Sequence, residues 1–142
     1  IGKFIAVIAE IGAFEANAAT ALVKLGADVG FCGNSENGAL RISGRANQQV
    51  LGATGLDLAK DVFQPLSEFF DGSGGGHPGA AAFNGSANNT DKVLSLFNRA
   101  AVSGLERNLS RVFIYRLVPN KFSILKILLG LSTGLSLRIL DQ

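Results

Sequence analysis

The sequence predicts an α/β fold, a mixed β-sheet covered by helices, in the order β-α-β-β-α-β-α with a C-terminal extension. Three observations carry this. A continuous apolar run of strand length, Phe4-Ile5-Ala6-Val7-Ile8-Ala9, stands near the start, as in a central strand covered on both faces. Phe14, Ala18, Ala19, Leu22 and Val23 then recur at helical spacing, with Gly26 as a stop. Behind an Asn37-Gly38 turn, Leu40, Ile42 and Gly44 alternate with Arg41, Ser43 and Arg45, the period of a half-buried strand. Strand and helix periods interleaved in one chain imply a sheet with helices packed on it.

The remaining elements follow in order. Val29 to Gly33 reads as the second strand, folding back through Asn34–Gly38 into the third as a hairpin. Leu56, Ala59, Val62, Phe63, Leu66 and Phe69 form a second amphipathic stripe, and Pro65 inside it predicts a kink or a break into two short helices. Phe83 to Ser86 reads as a short fourth strand. Asn89-Thr90-Asp91 offers helix caps ahead of a third stripe, Val93, Leu94, Phe97, Ala100, Ala101 and Leu105. Val112 to Tyr115 has strand character. Phe122 to Leu140 is apolar but carries Lys126 and Arg138 and is interrupted by Gly130 and Gly134, a poor match to a membrane span. It suits an added helix or hairpin, a partner contact or a membrane-surface segment. The division expected is residues 1–106 as the domain and 107–142 as the extension.

Composition narrows the function classes. A chain of 142 residues, 47% hydrophobic and 17% charged, is an ordered globular protein with enough length for a real core. A net charge of +2 is too small to argue for nucleic acid from bulk electrostatics, so any such binding needs a local patch. The single Cys32 excludes an internal disulfide and a cysteine-rich zinc site; it fits a reducing, cytoplasmic setting and reads as a small buried strand residue. The run after Lys3 is too short for a signal peptide. The Ile1 start and the lack of methionine suggest that residues precede this chain.

The chemistry-bearing stretch is Asp71-Gly72-Ser73-Gly74-Gly75-Gly76-His77-Pro78-Gly79-Ala80-Ala81-Ala82-Phe83. Consecutive glycines let a ligand approach the backbone, and successive N–H groups can form a concave anion site where such a loop feeds a helix. Pro78 suits a first helical position and Ala80 to Ala82 a short helical turn. His77, the only histidine, stands at that junction as a donor for phosphate. A plain surface turn is the competing reading. Arg41, Ser43 and Arg45 share one strand face and offer a phosphate or carboxylate platform, or else a solvated sheet face.

The string Gly74-Gly75-Gly76-His77-x-x-Ala80-Ala81 resembles the signature of the DHH-associated domain. That domain is the C-terminal half of many Asp-His-His phosphoesterases, among them RecJ-like exonucleases, short-oligonucleotide nucleases and cyclic-dinucleotide phosphodiesterases; a relative ends alanyl-tRNA synthetases. Ser43-Gly44-Arg45 matches the Ser-x-Arg pattern that the family commonly places at a strand end near the substrate. Ala82 stands where the family usually has Gly. The resemblance covers residues 1–106.

No Asp-His-His triplet, second histidine or Walker phosphate loop is present, and the carboxylates show no metal-ligand spacing. Ser73 and His77 lack a third group to orient them as a hydrolytic pair. The resemblance therefore implies a substrate-binding domain whose catalytic DHH domain, with manganese or another divalent metal, lies outside this chain. The isolated chain would bind without hydrolysing; the parent protein would be a metal-dependent phosphoesterase. Gly74, Gly75, Gly76 and His77 would hold a phosphate, with Arg45, Ser43 and Arg41 alongside. The implied partners are a nucleotide, an oligonucleotide or single-stranded nucleic acid, and the catalytic DHH domain. Alternatives are a tRNA- or single-strand-binding module like the end of alanyl-tRNA synthetase, or an oligomerisation domain, including a homodimer.

Overall fold

The computed structural model describes residues 4–10, 15–86, 99, 103–109, 112–117 and 137–139. A seven-stranded mixed sheet forms its frame, in the spatial order β4-β5-β3-β2-β1-β6-β7. β1 (Phe4–Glu10) runs through helix α1 (Glu15–Lys24) into β2 (Val29–Glu36), which lies parallel to β1 with Ala6 opposite Val29. β2 and β3 (Ala39–Ala46) form the expected hairpin. Its turn is Asn37-Gly38, with φ of 52° and 79°, the paired left-handed conformations that match strand twist in a two-residue turn.

Beyond β3 the chain departs from the expected order. A short helix α2 (Gln48–Thr54) opens on Asn47, whose side chain accepts from the Val50 N–H at 2.8 Å, and closes on Gly55 in the left-handed region at φ 72°. Only Val50 of α2 is buried, so it presents no apolar stripe to a periodicity search. The second stripe is indeed broken in two: a π-helical turn, Ala59–Phe63, is followed by a 3₁₀ segment, Gln64–Glu68, with Pro65 in its first turn. Pro has no N–H to continue the ladder, so the hydrogen-bond pattern changes at that residue.

The glycine stretch is not a loop. Asp71–His77 is the edge strand β4, Pro78-Gly79 is a hairpin turn, and Ala80–Ser86 is β5, antiparallel to β4 and to β3. Pro78 therefore starts no helix, Ala80 to Ala82 form no helical turn, and the strand expected at Phe83 begins three residues earlier. Glycine has poor strand propensity, but here tertiary packing decides. A Cβ on Gly74 would lie 2.2 Å from the Phe63 carbonyl oxygen, so the strand crosses the π-helical turn at a separation only glycine allows.

Two apolar layers sandwich the sheet. On one side Phe31, Ile42, Phe63, Leu66, Phe83 and their neighbours form the main core, with Phe31 and Phe63 rings tilted at 5.9 Å. On the other side α1 sets Ala18, Ala19 and Leu22 on Val7, Ala9 and Cys32. Gly30 lies directly beneath this helix, where a Cβ would meet the Ala19 carbonyl oxygen and the Leu22 Cβ at 2.9 Å. Asp28 ties the layers together: its carboxylate accepts from the Ile5 N–H and the Asn47 amide, each at 2.8 Å.

β6 (Val112–Leu117) pairs in parallel with β1, and β7 (Leu137–Ile139) pairs with β6, so the C-terminal segment contributes two strands to the sheet. The caps at 89–91 and most of the third stripe lie outside the described residues, as does Phe14. Its last residue, Leu105, sits fully buried in a helical turn at 103–106. No described helix is long and apolar enough to cross a membrane.

Candidate functional site

Strand alternation and register together place the candidate residues. On the α1 side of the sheet, four cross-strand rows succeed one another along β3, the last of them Ala39, Ser86 and Asp71. The first contains Arg45, Ala80 and His77; the second Ser43, Ala82 and Gly75; the third Arg41, Asn84 and Ser73. Helix α1 covers Gly30 and Cys32, the β2 members of the first two rows, and stops short of β5 and β4. Helix α1 also packs on β3, and the open part of the face lies over β5, β4 and the Arg41 end of β3: Arg41, Ser73, His77 and Asn84 are exposed, while Ser43, Arg45, Gly75, Ala80 and Ala82 are half-buried.

This arrangement is a trough. Two rows carrying polar heads flank a floor of hydroxyl, methyl and bare backbone. At a strand rise of about 3.3 Å per residue and a strand spacing of about 4.8 Å, Arg41 and Arg45 start about 13 Å apart and Arg45 and His77 about 10 Å apart. Arg45 donates from Nη1 to the Gly44 carbonyl oxygen at 2.8 Å, which anchors the guanidinium and leaves its other donors for a ligand. His77 ends β4 at a turn held from two sides. The Leu58 N–H donates to the Pro78 carbonyl oxygen and the Ala46 N–H to that of Gly79, both at 3.0 Å.

The three consecutive glycines have different reasons to be there. Gly74 is required by the Phe63 carbonyl beneath it. Gly76 has φ of 136°, and a Cβ there would meet the Ala80 carbonyl oxygen at 2.6 Å. Gly75 lies between them with no positive φ, and a Cβ on it would meet nothing within 4 Å. It faces the trough floor, paired with Ala82.

The structure thus brings Arg41, Ser43, Arg45, Gly75 and His77 onto one face and turns Gly74 and Gly76 toward the other. Ala82 falls in the stretch expected as a helical turn, and Asn84 lies in the expected strand Phe83–Ser86, whose pairing with Arg41 the sequence does not show. The alternation of Ala81, Phe83 and Gly85 with Ala82, Asn84 and Ser86 was the available signal. Cys32 is buried, and burial first, then the nearby Glu15 charge, pushes its thiol up to about 12, out of reach as a nucleophile near neutral pH. Among the described residues, no group of three or more His, Cys, Asp or Glu side chains is placed to hold a metal ion.

Fold and site together define an α/β domain with an open sheet face and a glycine-rich edge hairpin. The chain belongs to the DHHA1 domain family, the DHH-associated domain, whose model matches residues 12–103. A solved structure similar to it is the C-Ala domain of alanyl-tRNA synthetase from Aquifex aeolicus, at 16% identity and a TM-score of 0.47 over 69% of this chain and 88% of that one. No curated protein matches the chain.

Proposed function

We propose that this domain holds the phosphate of a nucleotide or oligonucleotide for a DHH-type phosphoesterase whose catalytic domain lies outside these residues. The observation that carries the reading is Gly75, a glycine with no packing or conformational demand of its own, set in the floor of a trough flanked by Arg45 and His77. A bare backbone in the row next to a guanidinium and an imidazole suits close approach by a phosphate, which gains charge-assisted hydrogen bonds from the Arg fork. Ser43 supplies a hydroxyl beside it, and Arg41 a second cation farther along the strand.

In this reading the domain binds and orients; bond cleavage, and the divalent metal that supports it, belong to the partner domain. The parent enzyme would be a cytoplasmic hydrolase of the exonuclease or phosphodiesterase kind. The test is calorimetric titration with a dinucleotide, with and without a 5′-phosphate, against wild type, Arg45→Ala and His77→Ala. Phosphate-dependent binding that drops in both variants is the expected result. Folded variants that bind as well as wild type would overturn the reading. Tight, salt-dependent binding of long single strands without need of the terminal phosphate would favour a single-strand-binding module instead.

A further inference from the structure

The open face continues past Arg41 into a cleft of about 370 Å³ at the β2–β3 hairpin, lined by Asn34, Glu36, Asn37, Ala39 and Arg41. Its volume lies within the range of small-ligand sites, roughly 300–1,000 Å³. Four of its five lining residues carry polar heads, two amides, a carboxylate and a guanidinium, while their aliphatic stems and Ala39 give it apolar wall as well, as a site for a base requires. The register explains the grouping. Asn34 stands opposite Arg41 and Glu36 opposite Ala39, so Glu36 and Arg41 are diagonal neighbours on the trough side of the sheet. Neither charged head is engaged by another described residue.

Glu36 is the informative member. An exposed carboxylate beside a phosphate-holding face repels the ligand's backbone, and it is useful there only as an acceptor for donors that the ligand carries. Among the bases, guanine offers a pair of N–H donors on one edge and the O6 and N7 acceptors on another. Carboxylate and guanidinium groups are their respective partners, as in base-edge recognition generally. Adenine, cytosine and uracil each lack part of this set.

We infer that the hairpin cleft is a base-reading subsite selective for guanine, with Glu36 accepting from the base's N–H edge and Arg41 donating to its acceptors. This rests on the phosphate reading above, since the base belongs to the strand held at Arg45 and His77.

The experiment is titration of the chain with the four 5′-phosphorylated homodinucleotides, pGpG, pApA, pCpC and pUpU, using wild type and Glu36→Gln. In wild type pGpG binds about tenfold more tightly than pApA, the scale of one good bidentate base contact. Glu36→Gln brings that ratio to within about twofold. Loss of a charge alone would shift all four affinities together and leave the ratio standing, so the ratio is the readout. Equal binding of the four by wild type, or a ratio that survives Glu36→Gln, overturns the subsite and leaves the phosphate reading intact. No binding of any of the four overturns both.

Discussion

The two faces of the β3–β5–β4 ribbon are made from the same short stretches of chain and have opposite characters. Facing the core, Ile42, Gly44, Gly74, Ala81 and Phe83 pack so closely that a single methyl group is excluded at Gly74 and Gly44. Facing outward, Arg41, Ser43, Arg45, Gly75, Ala82 and His77 leave room enough that a methyl group on Gly75 would touch nothing. The difference teaches that neighbouring glycines in one motif answer to separate constraints: Gly74 to packing, Gly75 to access. Substitutions can therefore separate the stability of this hairpin from its binding.

The largest effect is expected at the hub of the closed face. Phe63→Ala removes a fully buried ring that packs against Phe31 and under Gly44, and should cost about 4 kcal/mol in urea-unfolding free energy. Gly74→Ala forces strand and π-helical turn apart and should cost about 3 kcal/mol by the same measurement. Asn47→Ala removes the α2 cap and its bond to Asp28, for about 1–2 kcal/mol. Gly75→Ala closes the series: stability should stay within about 0.5 kcal/mol, while affinity for a 5′-phosphorylated dinucleotide falls about tenfold. If Gly74→Ala and Gly75→Ala destabilise equally, the contrast between the faces is wrong.

The layer beneath α1 makes a prediction in pH. The Cys32 thiol is raised from 9.0 to about 12, so above pH 9 the unfolded chain releases a proton that the folded chain retains. Stability is full below pH 9 and declines toward pH 12, by at most about 1.4 kcal/mol per pH unit. Cys32→Ser should flatten that part of the unfolding profile. A thiol reagent at pH 8 should label Cys32 only as fast as the protein opens.

Much of this architecture is visible in the sequence where local pattern and tertiary role agree. The apolar run of β1, the Asn37-Gly38 hairpin and the alternating face of β3 are each set by residues within a few positions. β4 is not visible, because no side-chain pattern marks four glycines among seven residues as a strand. Its extended form comes from pairing with β5 and from the crossing at Phe63, a residue eleven positions from Gly74. α2 is announced only by its ends, Asn47 and Gly55, without a stripe between them. For the site, Arg41, Ser43 and Arg45 follow from period alone. Bringing His77 and Gly75 onto their face required the β3–β5–β4 register, which joins segments some thirty residues apart.

The tethered Pro78-Gly79 turn has a consequence for motion. Its two carbonyl oxygens are held by the N–H groups of Leu58 and Ala46, which come from separate parts of the chain. Those two amides report the hairpin's lifetime: neither should exchange with deuterated solvent until the hairpin tip lifts from the body of the domain. His77, anchored one residue before the turn, rides on that tip. A ligand arriving faster than the tip lifts meets a backbone already in place, so little ordering is left for the binding step itself.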